Sequence, residues 1–109
     1  MLITALEGGS NYWYYLPLNN IEDVRKDTKS SLSENISSYI LSNGTIEVYD
    51  VENPAEKLGE INLTSIKKGF DKMHDNWSMM YGSILEGDID ADIADVWFQL
   101  SVMGEVVFS

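Results

Sequence analysis

The sequence predicts an α+β fold: a small antiparallel sheet with helices packed on one face, and two amphipathic helices at the C-terminal end. Three observations carry this expectation. Residues 45–50 and 58–63 alternate apolar and polar side chains on either side of an Asn53-Pro54 loop, the pattern of an antiparallel hairpin. Ile66, Phe70, Met73, Trp77, Met80 and Ile84 recur at intervals of 4, 3, 4, 3 and 4, the stripe of an amphipathic helix. Ile89, Ile93, Val96, Trp97, Leu100 and Met103 repeat the pattern after an interruption at Gly87-Asp88. With 109 residues and 44% apolar content, the chain is read as one domain, residues 1–109, with one core.

Each element has a local cause. Leu2, Ile3 and Leu6 share a helical face that Gly8-Gly9 stops. Asn11 to Leu16 is rich in aromatics and reads as a strand, with Tyr12 and Tyr14 on one side and Trp13 and Tyr15 on the other. Asn19 to Lys29 is polar. Ser31 and Glu34 fit a capping box, in which hydroxyl and carboxylate each satisfy a backbone N–H. Leu32, Ile36, Tyr39 and Ile40 then form a stripe that Asn43-Gly44 ends. In the hairpin, Ile46 and Val48 face one way and Glu47 and Tyr49 the other, and the return strand runs through Ile61 and Leu63. Thr64 or Ser65 can cap the first long helix, and Asp88 or Asp90 the second, with Asp92 in its favourably charged first turn. Gly104 ends that helix, leaving Val106 to Phe108 as an apolar tail able to add a strand.

Composition removes several function classes. The absence of Cys excludes disulfides and thiolate metal sites. The N-terminus lacks the basic and apolar regions of a signal peptide, and the apolar runs fall far below the roughly 18 residues of a membrane span. A cytoplasmic protein is expected. Eighteen Asp and Glu against seven Lys and Arg give a net charge of -11, which repels nucleic acid and anionic lipid and attracts basic protein surfaces. Neither direct nucleic-acid binding nor membrane binding is expected. The plainest role of the acidity is solubility.

No catalytic set or cofactor motif emerges. Asp88, Asp90 and Asp92 start like a calcium loop, but the sixth position holds Ile93 where Gly is needed and the twelfth holds Gln99 where Glu is needed. Capping explains these aspartates better. His74, the single histidine, has no Cys, serine elbow or second His to complete a nucleophilic site. Gly8-Gly9 lacks a phosphate-binding spacing, and nothing singles out two carboxylates for acid–base work. An enzyme is not expected.

Binding residues are easier to nominate. Arg25 and Lys26, with Lys29, form one basic group; Lys67 and Lys68, with Lys72, form another. Beside the aromatic run, either group could clamp a phosphate while a base stacks, although solvating the outer helix face is the simpler role for Lys67, Lys68 and Lys72. Tyr12, Trp13 and Tyr14, with Tyr15, cannot all face one layer of a strand, and Tyr and Trp are favoured interface anchors. The candidate binding set is therefore Asn11, Tyr12, Trp13, Tyr14, Arg25, Lys26, Lys67 and Lys68.

Two segments carry a resemblance. The first is Leu6-Glu7-Gly8-Gly9-Ser10-Asn11-Tyr12-Trp13-Tyr14; the second is Asp90-Ala91-Asp92-Ile93-Ala94-Asp95-Val96-Trp97-Phe98-Gln99, followed by Gly104-Glu105-Val106-Val107-Phe108. Together they resemble a family of small, mostly uncharacterised bacteriophage and prophage proteins, with a Gly-Gly-x-Asn-Tyr-Trp start and an Asp-Ala-Asp-x-Ala-Asp…Gln…Gly-Glu-Val-Val-Phe end. The resemblance covers about a third of the chain and implies a mobile-element setting without a catalytic assignment. Small accessory proteins of that setting are frequently counter-defence factors. The function expected is therefore binding: sequestering a small nucleotide immune signal, or blocking a host defence protein such as a CRISPR effector. The alternative is a structural or assembly homo-oligomer without ligand. Whether the Gly-rich and Asp-rich segments meet is left open by the sequence.

Overall fold

The computed structural model describes residues 1–9, 12–17, 24, 27 and 29–108. The fold is α+β, with a three-stranded antiparallel sheet in the order β1-β2-β3 and helices packed against it. Helix α1 (Leu2–Thr4) continues as a π-helical turn, Ala5–Gly9, and buries Leu2, Ala5 and Leu6. Strand β1 (Tyr14–Tyr15) is shorter than the aromatic run predicts, because Tyr12 and Trp13 lie in a turn. The side chains of Tyr12 and Trp13 both reach Asp95, whereas a pleated strand would send them to opposite faces.

Helix α2 (Leu32–Leu41) starts as expected at Ser31, whose hydroxyl accepts from the Glu34 N–H at 3.2 Å. The Glu34 carboxylate binds the Ser31 hydroxyl at 3.1 Å, in place of the backbone N–H of a full capping box. Strands β2 (Ile46–Asp50) and β3 (Lys57–Ile61) form the predicted hairpin, with a bulge between Val48 and Tyr49. Ile46 pairs with Ile61 and Val48 with Gly59, so the apolar side chains of this pair share the core face. On the outer face Glu47 opposes Glu60, and Lys57 sits 3.3 Å from one and 3.8 Å from the other, offsetting their repulsion. Leu63 belongs to the next helix and not to the strand.

Helix α3 (Leu63–Asn76) is capped by Asn62 in place of Thr64 or Ser65: Asn62 Oδ1 accepts from the Ser65 N–H, and Ser65 Oγ accepts from the Asn62 N–H, each at 2.9 Å. The stripe from Ile66 to Ile84 is shared between α3 and a separate helix, α4 (Ser78–Leu85), because Trp77 departs from helical geometry (φ −134°, ψ 49°). Trp77 N–H still reaches Met73 O and Trp77 O still accepts from Tyr81, so the break strands no backbone group there. Helix α5 (Ala91–Met103) is capped by Asp90, which accepts from the Ile93 N–H at 2.9 Å, and ends at Gly104 with φ 78°.

Helix α5 is the centre of the molecule and touches α3, β3 and the N-terminal turn. Two glycines allow this approach. A Cβ on Gly59 would strike the Val102 carbonyl oxygen, and one on Gly69 would strike Ser101. Besides its predicted stripe, α5 buries Phe98, Gln99 and Ser101, so it is enclosed on more than one face. The Val106–Phe108 tail adds no strand. Among the described residues, no helix is long and apolar enough to cross a membrane.

Candidate functional site

The site begins with one carboxylate on α5. Asp95 accepts from Tyr12 Oη at 2.5 Å, Trp13 Nε1 at 2.8 Å and Gln99 Nε2 at 3.2 Å. Gln99 stands one helical turn further on and is fully buried. Its Oε1 accepts from the N–H groups of Val107 and Phe108 at 2.9 and 2.8 Å, and its Nε2 donates to the Phe108 carbonyl at 3.0 Å. The amide side chain thus does for the tail what a neighbouring strand would do. The two segments that carry the resemblance meet here, joined through Asp95 and Gln99.

Aromatic packing surrounds this network. Trp13 is 1% exposed and stacks on Phe108 with centroids 5.4 Å apart and planes 10° apart. Phe98 contacts Trp13 and Tyr14 at 5.5 and 5.3 Å. Tyr14 also donates to the Leu6 carbonyl at 3.1 Å. Burial pushes the Tyr14 hydroxyl up to about 12. Tyr12 also rises to about 12, first through desolvation, then through its hydrogen bond to Asp95 and the nearby charges of Asp95 and Asp92.

The network forms part of the wall of a groove of about 560 Å³ lined by Tyr12, Met80, Asp92, Asp95, Val96, Gln99, Val106 and Phe108. Among the described residues its walls are aromatic and aliphatic, its charged lining residues are carboxylates, and no Lys or Arg lines it. Such a surface suits a partner with an apolar stem and a cationic head, and repels a phosphate. Compared with protein-family models, curated protein sequences and solved structures, the chain matches none.

The nominated binding residues separate. Tyr12, Trp13 and Tyr14 come together around Asp95 and Phe98, but only Tyr12 of the three is exposed, at 48%. Trp13 has no ring face left for a ligand. Lys67 and Lys68 lie exposed on α3; Lys68 borders a different cavity, with Asn62, Thr64 and Ser101, and neither lysine lines the Tyr12 groove. Asn11, Arg25 and Lys26 lie outside the described residues. His74 contacts Asp75 at 3.1 Å and packs edge-on against Tyr81. Among the described residues no group of three or more His, Asp or Glu is placed to hold a metal ion.

Asp95 and Gln99 were not nominated. Periodicity misses them because both fall off the apolar stripe of α5. Their place in the C-terminal motif that carries the resemblance is the signal that could have found them.

Proposed function

We propose that this protein is a non-catalytic binding protein that covers a basic surface of another protein. In the bacteriophage setting implied by the resemblance, that surface is the nucleic-acid groove of a host defence protein, met in the host cytoplasm. The observation that supports the reading is the Tyr12 groove: carboxylates and apolar walls, with no cation among the described residues that line it, on a chain of net charge -11. The same observation weighs against sequestration of a nucleotide, because Asp92 and Asp95 would face its phosphates and Trp13 is buried.

The test is a defence assay with a biochemical readout. The protein is produced in a defence-bearing host and the plating of a sensitive phage is measured. The purified defence protein is then tested for nucleic-acid binding with and without this chain. Restored plating, with displacement of nucleic acid that weakens as salt rises, supports the reading. Restored plating with a nucleotide-sized adduct in the native mass spectrum and no displacement replaces it with sequestration. The structural homo-oligomer draws on the exposure of Met79 (88%) and Leu85 (72%). A single stable oligomeric mass with no effect on plating favours it.

A further inference from the structure

Helix α4 is chemically odd. Met79, Met80, Tyr81, Ile84 and Leu85 fill most of its eight residues, yet none of its residues is buried. Met79 and Leu85 are 88% and 72% exposed. Met80, Tyr81 and Ile84 pack half-buried against the core, while Met79 and Leu85 leave apolar area in water, a feature of contact surfaces. Met80 links the helix to the Tyr12 groove, whose lining it joins with Val96, Val106 and Phe108.

Charge frames the same surface. Glu86, Asp88, Asp90 and Asp92 follow α4 directly and are exposed. Asp92 lies near enough to Tyr12 for its charge to raise the phenol. Among the described residues the groove has no basic lining residue.

The geometry points to the Met79–Met80 side of α4 and the Tyr12 groove as the docking surface for a basic amphipathic segment of another protein, with apolar residues on Met79 and Met80 and a Lys or Arg head directed to Asp92. The inference rests on the basic-partner reading and adds its place and the class of segment. Charge complementarity selects this occupant over a second copy. Two copies meeting through α4 would bring the acidic run 86–92 of one close to that of the other, each on a chain of net charge -11. Long basic side chains suit the surface because their methylene stems cover apolar area while the head stays among carboxylates.

The test titrates the isotope-labelled whole chain with a synthetic amphipathic leucine–lysine peptide, using a leucine–glutamate peptide of the same spacing as control. Amide shifts in α4 and around Asp92, Val96 and Phe108, with no binding of the control peptide, are expected. Two double variants with the same net charge locate the contact. Glu86→Gln with Asp92→Asn should weaken the leucine–lysine peptide by about tenfold, the loss of a central contact. Glu52→Gln with Glu56→Gln, in the hairpin loop, should leave it unchanged. Met79→Ser alters only an exposed side chain and should also weaken binding.

Binding with shifts on the hairpin, or equal loss in both charge variants, overturns the location and leaves the basic-partner reading standing. Equal binding of the leucine–glutamate peptide, or binding of neither, overturns both. A concentration-dependent dimer that Met79→Ser dissolves assigns the surface to a second copy and overturns the choice of partner.

Discussion

Asp95, together with Gln99, joins the two ends of the molecule. It receives a phenol, an indole and an amide, and the indole of Trp13 has no solvent to fall back on. Asp95→Ala should therefore cost about 3 kcal/mol, since it leaves the buried indole N–H of Trp13 without its charged acceptor. The urea midpoint measures this; a loss below about 1 kcal/mol would show that water replaces the carboxylate. Trp13→Ala should also unfold more than it unbinds, because the ring is a core element stacked on Phe108. The tyrosines set an alkaline limit. Tyr12 and Tyr14 are both held neutral, raised from 10.0 to about 12. Below pH 10 the phenols are protonated in both folded and unfolded chains, and stability is full. From pH 10 to about 12 the unfolded chain releases these protons first, so stability falls as pH rises. Tyr14→Phe should flatten that fall in urea midpoints taken across the range; an unchanged slope would count against a buried phenol at Tyr14.

Among the elements, α5 is held by close approach and α4 by the half-buried contacts of Met80, Tyr81 and Ile84. Gly59 and Gly69 let β3 and α3 reach the α5 backbone near Ser101 and Val102. Gly59→Ala pushes a methyl against a carbonyl oxygen that cannot rotate away, and should destabilise by about 1–3 kcal/mol. Gly82 lies in α4 with open space where a Cβ would go. Gly82→Ala should therefore stabilise, by up to about 1 kcal/mol, through helix propensity alone. Thermal melts of the two variants should move in opposite directions. If both fall, the packing around α4 is tighter than its exposed side chains indicate.

Across the whole molecule, charge opposes the fold and serves the proposed partner. At low ionic strength the screening length is about 30 Å, comparable with the molecular extents of 38 × 30 × 23 Å, so carboxylates repel across the entire body. Raising salt to about 0.15 M shortens that length to about 8 Å and should raise the unfolding midpoint. The same change should weaken capture of a basic partner. Opposite signs in a melt and a binding titration support an acidity that serves binding; a midpoint that falls with salt would mean that local ion pairs outweigh the global repulsion.

Local patterns in the sequence determined the hairpin, the Ser31 and Asp90 caps, the Gly104 stop and the apolar stripes, because each depends on neighbours within a turn or a strand pair. These patterns also supplied the α+β class, since alternation and 3.6-residue periodicity leave few ways to bury both kinds of face. Tertiary structure decided the rest. Periodicity survives a one-residue interruption, so the break at Trp77 left no trace in the stripe from Ile66 to Ile84. The strand expected from Asn11 gave way to a turn at Tyr12-Trp13 because Asp95, more than eighty residues along the chain, draws both side chains to one side. Gln99 looked like a polar interruption and became the partner of the C-terminal tail. Hydrogen bonds of this range depend on where the chain returns in space, a property that no local window contains, and they decide which aromatics remain exposed to meet a partner.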